Sequence, residues 1–200
     1  LRLSAAYFIS LAWTLPVAIF IGQNPRWANV LTPIFEVAAS VPATALFPLV
    51  VFVVIRATGS MDLAAVILVL TGMQWYLLFN LIAGMKSIPN DLMEAMRSYG
   101  LKGWRYWRRV ILPGLFPSLI TGSITAWGGG WNALIIAEYV VYAGVTYTAF
   151  GVGALLDQAT YQSGDSAMIL LSLLSMIAAI SILNRAVWRP LFQLATRRFR

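Results

Sequence analysis

Long apolar runs separated by short polar breaks set the pattern of this chain. The first run, about residues 3–21, is interrupted only by Pro16 and ends at the turn-forming Gly22-Gln23-Asn24-Pro25. A second, about 30–55, carries Pro33, Pro42 and Pro48. That spacing predicts a kinked or broken helix whose freed backbone groups are re-satisfied by neighbouring helices. Residues 61–85 make a third run without proline, closed by Lys86. The fourth, about 111–142, holds Gly122, Ala126 and Gly130 at four-residue intervals, a ridge of small side chains that admits another helix closely. The fifth covers about 167–187. Each run is long enough for a helix to cross a hydrocarbon layer of about 30 Å. The pattern predicts an all-α membrane protein of five spans.

Two shorter segments carry helical periodicity of another kind. Between the fourth and fifth runs, Val152, Leu155, Leu156 and Ala159 fall on one helical face, with Asp157, Gln158 and Gln162 elsewhere, which predicts a short helix lying at an interface. Between the third and fourth runs, Asn90 can cap a helix whose first turn carries Asp91 and Glu94, where acids suit the helix dipole. Gly100 then stands where a left-handed C-terminal cap is needed. Leu92, Ala95, Met96 and Tyr99 share one face of that helix, and a second helix is expected over 103–112, with Trp104, Trp107 and Ile111 on one side. No internal repeat is visible.

Composition confirms the class. Hydrophobic residues make up 60% of the 200 residues, charged residues 10%, and mean hydropathy is +0.79, against roughly 25% charged residues in a soluble domain. The net charge of +7 does not indicate nucleic acid, because the basic residues cluster in loops next to apolar runs and act as retention signals. There is no Cys and no His, which removes thiol chemistry and the commonest general base and metal ligand. The acids Glu36, Asp62, Asp91, Glu94, Glu138, Asp157 and Asp165 are scattered, so a membrane enzyme is a poor reading. With no G-x-x-x-x-G-K-[ST] stretch, the chain is expected to bind no cofactor, and any ATP belongs to a partner.

Charge also orients the spans. With the 86–109 loop inside, Arg26, the six basic residues of that loop (Lys86, Arg97, Lys102, Arg105, Arg108, Arg109) and the five of the tail (Arg185, Arg189, Arg197, Arg198, Arg200) all lie inside, twelve of fourteen. The reverse topology would leave two. Arg2 and the 56–61 turn then face outward. An outward N-terminal end beginning at Leu1 leads us to expect one transmembrane domain over 1–200, the C-terminal part of a longer chain.

The loop carries a longer pattern. Glu94-Ala95-Met96, then Gly100, then Val110-Ile111-Leu112-Pro113 resembles the EAA motif of permease subunits in binding-protein-dependent ABC importers, with Met96 where Ala is usual and Val110 where Ile is usual. The stretches Pro42–Leu49, Ala126–Trp131 with Ala137-Glu138, and Gly151–Leu156 are similar to the nitrate, sulfonate, taurine and bicarbonate branch of these permeases, most of all to tandem-duplicated anion permeases. The resemblance implies a type I importer module with five core helices in a bacterial-type inner membrane, its C-terminus and EAA loop (86–110) cytoplasmic. It implies that Glu94, Ala95, Met96, Gly100, Leu112 and Pro113 form the coupling region. Its partners would be two ATPase subunits, a second permease module in the same chain or a second copy, and an extracytoplasmic solute-binding protein. A secondary transporter, or another polytopic protein without an ATPase, is the alternative.

Substrate contacts are less marked. Gln74, Trp75, Asn80, Trp127, Trp131 and Asn132 could line a route, and interhelical hydrogen bonds or packing would use them equally well. Glu138 is expected near the outer boundary, to brace a gate, dock a binding protein or bond between helices. No Lys or Arg is expected at mid-span, so an anion would cross without a buried positive ligand, selectivity resting with the binding protein.

Overall fold

The computed structural model describes residues 1–142 and 144–198, except the side chains at 97, 142, 197 and 198. Arg200, assigned above to the inner tail, lies outside the described residues, as do the side chains of Arg97, Arg197 and Arg198. Four helical runs are long and apolar enough to cross a membrane, and a bent pair supplies a fifth span.

Helix α1 (Arg2–Gln23) keeps Pro16 in its interior. The second run is broken as its prolines require, into α2 (Pro25–Ser40) and α3 (Ala43–Thr58), which meet at 81°. Only Pro42 marks the break. Val41, just before it, is extended at φ −70° and ψ 121°, the conformation that a following proline imposes, whereas Pro33 and Pro48 are accommodated inside helices. Gly59 then turns the chain at φ 70° into α4 (Met61–Ser87), whose first turn is capped by the Ser60 hydroxyl accepting from the Leu63 N–H.

Helix α4 is the axis of the bundle, with Leu68, Val69, Met73, Leu77, Leu78 and Leu81 all fully buried. Against it lies α7 (Leu112–Ala137), and the expected small-residue ridge is what brings them together. A Cβ on Gly122 would stand 2.8 Å from the Asn80 Cβ, and one on Gly130 2.7 Å from Leu3 and 2.8 Å from the Met73 sulfur. Without side-chain bulk there, backbone approaches side chain directly and dispersion contacts accumulate.

Three expectations need correction. The fourth span ends at Ala137, not near residue 142. Tyr139–Tyr142 and Val145–Thr148 instead form an antiparallel hairpin, β1 and β2, in register Tyr139↔Thr148, with Gly144 at φ 78° in its turn. The Tyr and Val residues of β1 suit a pleated surface as well as an apolar run. Second, the predicted interfacial helix is α8 (Val152–Gln158), continued by a wide turn over Ala159–Ser163, and it turns Gly153 and Ala159 inward rather than Leu155.

Third, the last helix runs further than 187. Helix α9 (Ser166–Leu183), capped by the Asp165 carboxylate at the Ala167 and Met168 N–H groups, passes through a π turn at Asn184–Trp188 into α10 (Arg189–Arg198). The charge-free apolar part of this run is Ser166–Leu183, and Arg185 and Arg189 follow it on the same helical run.

Candidate functional site: a capped helix at one end of the bundle

Helix α5 (Asn90–Ser98) follows α4 after Ile88-Pro89, its first turn carrying Asp91. Its C-terminus closes by a double hydrogen-bonded cap. Tyr99 donates its N–H to the Ala95 carbonyl at 3.0 Å, and Leu101 donates to the Met96 carbonyl at 3.1 Å, across Gly100 at φ 79°. The six-to-one bond over a left-handed residue is the Schellman arrangement, in which the residues at its two ends also meet apolar surroundings. Met96 and Leu101 do so: both pack on a cluster of Ile19, Met85, Ile88, Tyr106, Val110, Ile111 and Leu115. The glycine thus fixes a corner that anchors α5 to the adjoining ends of α1, α4 and α7.

The expected apolar face is turned differently from its prediction. Met93 and Met96 hold the helix to the bundle, while Leu92, at 43% exposure, and Tyr99, at 83%, lie open. Glu94 and Ala95 are exposed beside them. A face bearing a carboxylate, a small residue and two large apolar side chains is suited to being covered by another protein.

Past Gly103, also left-handed at φ 56°, the chain enters α6 (Gly103–Tyr106) and, through a π turn at Trp107–Ile111, runs without a break into α7. Leu112 and Pro113 stand at this junction, where the π turn closes with the Leu112 N–H on the Trp107 carbonyl just before the residue that has no N–H to donate. A cavity of about 460 Å³ lies between α5 and the junction, lined by Leu92, Met96, Arg109 and Pro113 among others. It brings the two halves of the motif, Met96 and Pro113, to one place. Lys86, Lys102, Arg105, Arg108 and Arg109 are all exposed, and Arg109 lines it.

The candidate pathway residues fall in separate places. Trp75 sits in an aromatic group with Trp13 and Phe35, at ring separations of 6.4 and 6.3 Å, joining α1, α2 and α4. Gln74 is half-buried beside it in sequence. Asn80 donates its side-chain amide to the Tyr76 carbonyl at 2.8 Å and stands against Gly122. Trp127 meets Tyr7 and Trp188, Asn132 is exposed, and Trp131 and Glu138 share a cavity of about 620 Å³ at the opposite end of the bundle from α5.

Glu138 is the most buried of these, at 3% exposure. It accepts from the Arg2 guanidinium at 2.7 Å and from the Gly153 backbone N–H at 2.9 Å, while Arg2 also holds Asp62 and the Phe150 carbonyl. One carboxylate thereby ties together the start of α1, the end of α7 and the start of α8. Sequence reading did not find this pairing, and the spacing of 136 residues gives no local signal for it.

The described residues form a helical bundle with up to five spans and a capped helix exposed at one end. Residues 14–189 match the family described as binding-protein-dependent transport system inner membrane component, and the chain belongs to that family. It is 27% identical over 186 residues, 93% of this chain and 63% of the relative, to the nitrate import permease protein NrtB of Leptolyngbya laminosa. It is 33% identical over 175 residues, 84% of this chain and 64% of the relative, to the aliphatic sulfonates transport permease protein SsuC of Escherichia coli K12. The chain thus spans under two thirds of the length of these relatives. In fold it is similar to a solved chain of the MetNI methionine ABC transporter in an inward-facing conformation, with a TM-score of 0.81 over 97% of this chain and 91% of that one, at 17% identity.

Proposed function

We propose that this chain is the translocation module of an ATP-driven importer for a small anion, taking its drive from a separate ATPase through α5. The observation that carries the reading is the geometry of that helix: Gly100 locks its corner, Met96 and Leu101 hold its base in the bundle, and Glu94 and Ala95 stand free on the far side. A push on such a helix is passed to α4 and α7 rather than absorbed in a loop. In this reading α5 and the C-terminal end face the cytoplasm, two ATPase subunits dock on two permease modules, and a solute-binding protein delivers the anion at the end where Arg2 and Glu138 meet.

Family membership and the names of the relatives support the anion class: NrtB is named for nitrate and SsuC for aliphatic sulfonates. ATP binding stays with the partner. The test is uptake by proteoliposomes holding the full-length permease, its ATPase and its binding protein. Accumulation of nitrate, taurine or bicarbonate that needs internal or external ATP on the ATPase side supports the reading. Accumulation driven by an ion gradient without ATP contradicts it.

A further inference from the structure

One face of the bundle is polar at the depth where a span meets hydrocarbon. On α7 the exposed positions Thr121, Thr125, Gly128 and Asn132 recur every three or four residues and so form a single stripe. Thr121 and Thr125 stand at least twelve residues, about 18 Å, from Arg109 and Glu138, the nearest charged residues along that helical run. In a layer of about 30 Å they lie well inside, with Asn132 nearer the Glu138 end. Helix α4 continues the face. Asn80 stands against Gly122, and a Cβ on Gly129 would collide with the Tyr76 ring, so Asn80 and the half-exposed Tyr76 lie alongside the stripe. Tyr76 is itself ten residues, about 15 Å, from Lys86.

The other continuous spans do the opposite. Between Arg2 and Arg26, the large exposed side chains of α1 are Phe8, Ile9 and Phe20, and between Asp165 and Arg185 those of α9 include Leu170, Leu174 and Ile177. Those faces suit lipid. On α7 no large apolar side chain is exposed before Ile136. The two Thr hydroxyls are satisfied within their own helix, Thr121 on the Pro117 carbonyl at 3.1 Å and Thr125 on that of Gly122 at 3.0 Å. Asn132 and the Tyr76 hydroxyl make no hydrogen bond among the described residues. An open amide or hydroxyl in hydrocarbon is costly, so such groups face a bundle interior or water. Nor does anything fill the face: a Cβ on Gly128 would meet nothing within 4 Å.

We propose that this face, with Tyr76, Asn80, Thr121, Thr125 and Asn132, is the wetted wall of the translocation route, past which an oxyanion moves on neutral hydrogen-bond donors. Hydroxyl and carboxamide hydrogens replace part of the anion's hydration, and without a fixed cation they hold it weakly enough to let it leave. The assignment deepens the importer reading above and rests on it. An import module needs a wettable surface at mid-depth, and the other continuous spans present apolar ones. Trp75 and Trp127, packed into aromatic groups elsewhere, do not belong to this wall. Close packing on a second permease module is the competing use of the same face, since small side chains suit it too.

Residues 1–200 hold no cysteine, so single thiols can be placed in the full-length permease once any cysteine beyond them is removed. In proteoliposomes holding the assembled transporter, a charged, membrane-impermeant methanethiosulfonate is supplied on both sides, with and without ATP. Thr121→Cys and Thr125→Cys should react about tenfold faster than Ala12→Cys, which sits on the exposed face of α1 beside Phe8 and Ile9. Gly128→Trp, whose side chain enters open space, should lower ATP-dependent uptake about tenfold while the thermal unfolding midpoint stays that of wild type. Thiols at 121 and 125 no more reactive than the one at 12, as burial in lipid or against a second module would leave them, would overturn the proposal, and so would full uptake by Gly128→Trp. A wild-type transporter without ATP-dependent uptake would instead contradict the importer reading, while the labelling contrast still decides whether this face is wet.

Discussion

Gly153 donates its backbone N–H to the Glu138 carboxylate at 2.9 Å, and this short bond fastens the start of α8 to the end of α7. The glycine is required by space as well. A Cβ at position 153 would stand 2.7 Å from the Ile135 Cα and 3.0 Å from Glu138 itself. Gly153→Ala should therefore destabilise the bundle by about 1–3 kcal/mol through overpacking. Thermal unfolding of the detergent-purified protein followed by tryptophan fluorescence checks it, and an unchanged midpoint would count against the close contact.

Glu138 is itself the acceptor for Arg2, across a boundary where neither is fully in water. Removing one partner of such a pair leaves an uncompensated charge, which costs about 3 kcal/mol or more when burial is deep. Glu138→Gln should lower stability, and adding Arg2→Met should recover part of the loss. A double-mutant cycle measures this, and purely additive effects would show that the pair is not coupled.

The ridge on α7 allows a sharper contrast. A Cβ on Gly128 would meet nothing within 4 Å, while one on Gly130 would press on Leu3 and Met73. Gly128→Ala should be neutral or stabilising by up to about 1 kcal/mol, as for any exposed helical glycine. Gly130→Ala should be destabilising by about 1–3 kcal/mol. Equal effects at both positions would mean that α4 and α7 do not approach as described.

Much of this fold was legible from the sequence. The five apolar runs, a break in the proline-bearing second run, the Gly122–Ala126–Gly130 ridge and the left-handed Gly100 all follow from local chemistry, because each depends on residues close in the chain. What was missed depends on distant partners or on competing signals. The run through Tyr139–Tyr142 was apolar enough to extend the span, and only pairing with Val145–Thr148 makes it a strand. The basic end from Arg185 onward was expected as a tail, and it is helical because α9 continues through the Asn184–Trp188 turn, with Trp188 packed on Tyr7 and Trp127. The face of α5 was misassigned because Leu92 and Met93 are both apolar, and the sequence does not say which one the bundle takes.

Topology gives a further test. Gly59, in the exposed turn between α3 and α4, and Lys102, just beyond the α5 cap, follow opposite ends of α4, which the charge count assigns to opposite sides of the membrane. Cysteines introduced at the two positions of the full-length protein should show opposite accessibility in intact cells, with Gly59→Cys labelled from outside and Lys102→Cys protected. The reverse pattern would invert the orientation.

The central claim is that the corner at Gly100 presents α5 to an ATPase. Valine has a Cβ branch that tolerates φ 79° poorly, a strain of about 1–2 kcal/mol placed on the cap alone, since a Cβ there meets no neighbour within 4 Å. The most direct measurement is to purify the full-length protein in mild detergent with its ATPase, as wild type and as Gly100→Val, at matched membrane levels. The account predicts that the ATPase accompanies the wild type and is lost, or no longer drives uptake, with Gly100→Val. Full association and full ATP-dependent uptake by the variant would contradict it.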